Sequence, residues 1–180
     1  LIGHSLGGDL ARYLASEFHE VKKLILLDGG YIDLDKILPL DTELEEAKNY
    51  IESQVVSDLD VLISKAKSEA KHWSENMEKA VRQSYHWNPE YNRYELAINY
   101  ENIETILHLR RKIQAFKREV GDTLFISPRY PNEARWREEA LKELPDCFDT
   151  IFLENFDHEL YTQASKEIAS LINEWLAYSH

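Results

Sequence analysis

A chain of 180 residues with 43% hydrophobic and 30% charged residues is long enough for one domain with a real core and falls among ordinary soluble globular proteins. Its formal charge of −12 makes nucleic acid and anionic membrane surfaces poor partners, and no apolar run approaches the roughly 20 residues that cross a bilayer. The single cysteine, Cys147, excludes an internal disulfide framework and fits a reducing compartment, so a cytoplasmic protein is expected.

In chain order, "LIGHSLGGDLARYLA" comes first: a two-residue strand stub, Leu1-Ile2, a glycine-flanked serine, and then Leu6, Leu10, Leu14 and Phe18 on one stripe of a helix. "VKKLILLD", Val21 to Asp28, is too short for a helix, and its unbroken Leu-Ile-Leu-Leu suits a parallel strand covered on both faces; Gly29-Gly30 stops it. From Tyr31 to about Arg118 no strand pattern is visible. Helical stripes run through Leu44, Ala47, Ile51 and Val55, then from a capping box at Ser57 and Asp60 through Leu59, Leu62, Ile63, Ala66, Ala70, Trp73 and Met77, and finally through Ile103, Ile106, Leu107, Ile113 and Phe116. The aromatic stretch "YHWNPEYNRYELAINY", broken by Asn88-Pro89, reads as loop. "TLFIS" is a second clear strand, ended by Ser127-Pro128. Pro131 opens a charged helix to about Leu144, "TIFL" is a third strand, and Ala164 to Leu176 stripe a closing helix. Strands alternating with helices around one large insert predict an α/β fold with a parallel sheet.

Chemistry concentrates at Gly3-His4-Ser5-Leu6-Gly7. A nucleophile on a sharp strand-to-helix turn needs small neighbours, which Gly3 and Gly7 would supply, and the helix behind it aims free N–H groups and its positive dipole end at charge developing beside Ser5. The Leu6 N–H is then one oxyanion donor. The pattern arises by chance in roughly one chain of this length in fifteen to twenty, so its placement between strand and helix carries the weight. A serine needs a base, and the base an orienting acid. Of seven histidines, His158 in "FLENFDHELYTQAS" follows the last strand and precedes the last helix. His19, His72, His86, His108 and His180 fall in helices, the aromatic stretch or the terminus, and His4 suits a pocket wall. The acid is open: Asp28 ends the strand "LILLD", Glu133 follows "TLFIS" by several residues, and Asp157 adjoins His158 too closely for an easy side-chain approach. His158-Glu159 starts a His-Glu-x-x-His pattern, but residue 162 is Thr, and no CxxC or phosphate-cradling glycine loop is present. The chemistry requires no cofactor.

"GHSLGG" resembles the nucleophile elbow of the α/β-hydrolase superfamily, "LILLDGGY" resembles the strand after it, and "ENFDHEL" resembles the histidine loop, where many members carry Gly at the place of Glu154 or Asn155. The resemblance implies a lid-bearing serine hydrolase. Residues 1–30 and 119–180 would form the core and residues 31–118 a helical cap; the triad would be Ser5, Asp28 and His158, acting on a small-molecule ester or acyl substrate. Aminopeptidase, thioesterase, lactonase and C–C bond hydrolase chemistry use the same machinery, and a non-catalytic receptor of this fold is the rival of another class. Tyr85, Trp87, Tyr91 and Tyr94 either line an acyl pocket or pack the cap. The resemblance also implies earlier strands and a second oxyanion donor before Leu1. The 180 residues are therefore expected to be the C-terminal portion of a longer chain, with an open sheet edge that leaves them aggregation-prone and inactive alone.

Overall fold

The computed structural model describes residues 1–113, 116, 118–130 and 133–178. The chain begins β1 (Ile2–His4), α1 (Leu6–Glu17), β2 (Lys23–Leu27). An insert follows, with α2 (Leu34–Ile37), α3 (Leu40–Ser53), β3 (Val55–Val56), α4 (Leu59–Glu69), α5 (Glu75–Gln83), β4 (Tyr85–Asn88), β5 (Arg93–Leu96) and α6 (Tyr100–Lys112). The core resumes with β6 (Asp122–Arg129), α7 (Arg135–Lys142), β7 (Phe148–Glu154), α8 (Leu160–Gln163) and α9 (Ser165–Tyr178). Strands β1, β2, β6 and β7 form one parallel sheet in that order, with Gly3 opposite Leu26 and Leu26 opposite Phe125.

The sheet is covered on both faces, as the unbroken "LILL" run predicts. Alternation along β2 sends Leu24 and Leu26 to one side, against Ala11, Ala15 and Phe125. Ile25 and Leu27 go to the other side, against Leu124, Ile126, Leu160 and Ile168. Strand β1 pairs only with β2 and forms one edge.

Four sequence expectations change. Helix α1 does not turn its leucine stripe inward. Its buried face is Gly8, Asp9, Ala11, Ala15 and Ser16, while Leu10 and Phe18 are 47% and 54% exposed. Small side chains let the helix backbone lie close over β2, and the large ones are left outside. The stretch that reads as loop is a β-hairpin: β4 and β5 pair antiparallel with Trp87 opposite Tyr94, and β3 joins β5. Asn88-Pro89 is its turn, where the Asn88 side chain accepts from the Glu90 N–H at 3.0 Å and Asn92 takes a left-handed φ of 51°. The insert is thus mixed rather than purely helical. The long helical stripe from Leu59 to Met77 breaks between Ala70 and Ser74; Asp58 rather than Ser57 caps α4, accepting from Asp60 N–H at 2.7 Å, and Ser74 caps α5. Strand β6 runs through Pro128 to Arg129, because β2 has ended at Leu27 opposite Ile126 and the missing proline N–H faces no partner strand there. The expected helix start at Pro131, like His180, lies outside the described residues.

A buried ion pair and a more exposed one join the insert to the core. Asp9, in the first turn of α1, accepts from the Gly30 N–H at 3.0 Å and from Arg110 of α6 at 2.5 Å. The break after α4 lets the insert reach the loop after β7. Lys71 pairs with Asp157 at 3.3 Å, His72 stacks on Phe156, and Ser74 donates to the Thr162 carbonyl at 2.5 Å.

Candidate active site

Ser5 sits between β1 and α1 with φ 52° and ψ −124°, a strained backbone for a residue with a side chain. Its N–H donates to the Leu27 carbonyl at 3.1 Å, and its own carbonyl accepts from Gly8 N–H at 2.8 Å, so the turn is pinned on both sides. The strain is sustained by close backbone approach. A Cβ on Gly3 would lie 2.1 Å from the Gly7 carbonyl oxygen, and one on Gly29 would lie 2.2 Å from the Ser5 carbonyl oxygen. Gly7, expected to supply room, faces open space; the crowded partner across the turn is Gly29, just past β2. Gly29→Ala should therefore force the Ser5 turn apart at a cost of about 1–3 kcal/mol or more. Gly7→Ala should be neutral or raise stability by about 0.5–1 kcal/mol through helix propensity. Thermal melts of the two variants test this, and a Gly29→Ala protein as stable as the parent would contradict it.

Leu6 is the first residue of α1, so its N–H has no intrahelical partner and is free to donate to an anion beside Ser5.

Asp28 follows β2 directly, with a left-handed φ of 43° held by its N–H donating to the Ile126 carbonyl at 2.8 Å. Its Oδ2 lies 2.7 Å from His158 Nδ1. Its Oδ1 accepts from Ser127 Oγ at 2.7 Å and from Tyr31 at 3.4 Å, and Arg137 Nη2 is 3.1 Å away. Burial alone would push the Asp28 carboxyl up. The hydrogen bonds from His158 and Ser127 and the charge of Arg137 outweigh it and hold the group below the ordinary carboxylate range, so Asp28 is an anion. The hydrogen bond to Asp28 raises His158 above the ordinary histidine value, against burial, which pulls it down.

The histidine loop between β7 and α8 is shaped by local bonds. Asn155 has φ 65°, in the left-handed region that favours glycine. Asp157 N–H donates to Gln163 Oε1 at 2.9 Å, and Gln163 Nε2 returns a bond to Asp157 Oδ2 at 3.0 Å. His4, the residue before Ser5, bonds through Nε2 to the His158 carbonyl at 2.8 Å, and its ring lies 4.6 Å from the His158 ring and 4.7 Å from Tyr161. These contacts bring the serine turn and the histidine loop together. Ser5 Oγ makes no hydrogen bond to His158 in this structure; such bonds tighten when substrate is seated.

The three acid candidates separate cleanly in space. Asp28 is on His158; Glu133 accepts from Arg137 Nε at 2.8 Å; Asp157 is engaged by Lys71 and Gln163. Ligand atoms of His4, His158 and Glu159 lie within 4.8 Å of one another and could hold a metal ion, with His158 Nδ1 and His4 Nε2 already committed elsewhere. The aromatic residues of the hairpin find partners within the insert: Tyr85 donates to Gln54 at 3.1 Å, Trp87 meets Tyr94 edge-on, and Arg93 lies over Tyr91. Sequence reasoning missed Arg137, Ser127 and Tyr31 around the Asp28 carboxylate.

No protein-family model matches this chain, and no curated protein matches it. Among solved structures it is similar to a marine microorganism esterase (TM-score 0.62, 18% identity, covering 97% of this chain and 68% of that one). It is also similar to E-2-(acetamidomethylene)succinate hydrolase (TM-score 0.66, 18% identity, 98% and 66%). An M. tuberculosis esterase matches with TM-score 0.63 at 13% identity, over 98% of this chain and 61% of that one. The fold is the α/β-hydrolase fold, and the chain spans about two thirds of the length of these structures. Among the described residues no helix is long and apolar enough to cross a membrane.

Proposed function

We propose that the chain carries the triad of a serine hydrolase that cleaves carboxylic esters or related acyl bonds through an acyl-enzyme. The observation behind this reading is the 2.7 Å contact of His158 Nδ1 with a buried, anionic Asp28, made from a loop that His4 ties to the strained Ser5 turn. Similarity of fold to esterases and hydrolases supports it.

Asp28 accepts a hydrogen bond from His158 Nδ1–H, which holds the proton on Nδ1 and leaves Nε2 unprotonated and basic. Ser5 Oγ attacks the substrate carbonyl while Nε2 takes its proton, and the resulting oxyanion receives the Leu6 N–H at the positive end of α1. Collapse expels the alcohol, which takes the proton from Nε2. Water then attacks the acyl group with His158 again as base, and Ser5 leaves with the proton. The insert acts as a cap, since Lys71 and His72 meet the histidine loop directly and Ser74 meets α8 just after it.

The pH dependence follows from His158. Its neutral form is the base, so kcat/KM rises with pH as His158 loses its proton. Because the folded protein raises that group above 6.5, the midpoint of the acid limb should lie above 6.5. A limb centred below that value would remove His158 as the base. Labelling of the full-length protein by a fluorophosphonate, read as a mass increment located on Ser5, tests the whole assignment. A folded protein that stays unlabelled overturns it and favours the receptor reading.

A further inference from the structure

The Asp28 carboxylate has two counter-charges. One is His158. The other is Arg137 of α7, whose side chain is 8% exposed against 2% for Asp28. Arg137 Nη2 lies 3.1 Å from Asp28 Oδ1 and also donates to Ser127 Oγ at 2.7 Å and the Pro128 carbonyl at 2.9 Å. Its Nη1 donates to Tyr31 OH at 2.7 Å, and its Nε to Glu133 at 2.8 Å. A guanidinium only donates. The Ser127 and Tyr31 oxygens therefore receive their bonds from Arg137 and must send their own hydrogens onward, and both reach Asp28 Oδ1. Burial raises the Tyr31 hydroxyl far above its ordinary value, so its proton is always there to be sent.

From this arrangement we propose that Arg137 is a positioning residue that aims the Asp28 carboxylate at His158 and, by sharing its charge, sets how basic His158 is. The inference rests on the serine hydrolase reading for its effect on rate, but the coupling of Arg137 to His158 through Asp28 stands on geometry alone. Glu133 holds the guanidinium from its other end, which gives that residue its role beside the triad. Arg137 also lies over the Tyr130 ring, at 4.8 Å. His158 faces Asp28, Glu159 and the rings of His4 and Tyr161, with the Asp157–Lys71 pair next in the loop. Of these groups Asp28 is the one that Arg137 touches, so a shift in His158 on substitution of residue 137 reports the Arg137–Asp28 contact.

The experiment follows the His158 imidazole by NMR titration of the full-length protein, beside the pH profile of its kcat/KM. In Arg137→Gln the guanidinium charge no longer competes for Asp28, and the His158 midpoint should rise by about one pH unit. The acid limb of kcat/KM should follow it. Above that limb kcat should fall about 10-fold or more, because the carboxylate has lost its aim. Arg137→Lys keeps the charge without the fork, so its His158 midpoint should stay with the parent while kcat falls; this variant also carries the test if Arg137→Gln does not fold. A His158 midpoint unmoved in folded Arg137→Gln overturns the charge coupling, and a parental kcat in Arg137→Lys overturns the positioning role. Failure of the hydrolase reading would show separately, as absence of fluorophosphonate labelling with the NMR shift intact.

Discussion

In the full-length protein, Ser5→Ala should abolish ester hydrolysis almost completely, with turnover on a p-nitrophenyl ester reduced by up to ~10⁶-fold, since loss of the proposed nucleophile would remove covalent catalysis outright. The fold should survive. Alanine is no larger than serine, the turn is held by backbone bonds from Ser5 to Leu27 and Gly8, and the Ser5 side chain holds no cap bond to α1. Circular dichroism of the variant should overlay on that of the parent. A variant that keeps more than a tenth of the parental rate would remove Ser5 from the mechanism.

Asp28→Asn should cost about 10⁴-fold in turnover, for a reason visible in the two-sided surroundings of the carboxylate. Ser127 and Arg137 both donate towards Oδ1, so an asparagine would turn its carbonyl oxygen to them and its NH₂ group to His158 Nδ1. Nδ1 would then have to be the acceptor, which places the histidine proton on Nε2, where it blocks transfer from Ser5. Glu133→Gln keeps an acceptor for Arg137 and should lower thermal stability more than turnover. The reverse ranking in kcat would make Glu133 the acid.

Much of this arrangement is legible in the sequence. Ser5, Asp28 and His158 stand out because each sits at the end of a strand signal, and strand ends of a parallel sheet converge on one rim. The covered strand β2 announces itself by an apolar run too short for a helix. Other features are hidden by physics that sequence patterns do not register. Leucine spacing points α1 the wrong way, because closeness of approach to β2, rather than side-chain size, decides which face of that helix is buried, and Gly8, Ala11 and Ala15 carry little apolar signal. The hairpin at Tyr85 to Leu96 lacks β-branched residues, and its turn residues, Asn88-Pro89, look like a simple interruption. Gly29 reads only as a strand stop, yet its backbone is the surface on which the Ser5 turn rests. Arg137 has no signal at all: it stands among surface charges in "EARWREEALKE", and only folding brings it to a residue far back in the chain.

Asp9 limits how far the insert of this protein can be exchanged for another. Its carboxylate is 1% exposed, burial already pushes its protonation upward, and its partners are the Gly30 backbone in the core and Arg110 in the insert. A chimaera that joins this core to a foreign insert would keep Asp9 and lose Arg110, leaving a buried carboxylate, four residues along the helix from Ser5, without its hydrogen-bonded cation and with Arg12 acting on it by charge. Breaking such a pair costs about 3–5 kcal/mol. A graft must therefore bring a cation to the same place, or change Asp9 as well. The β3–β5–β4 sheet of the insert does not take part in this pair, so substitutions at the hairpin tip around Tyr91 leave it intact, and substitutions at Arg110 of α6 do not.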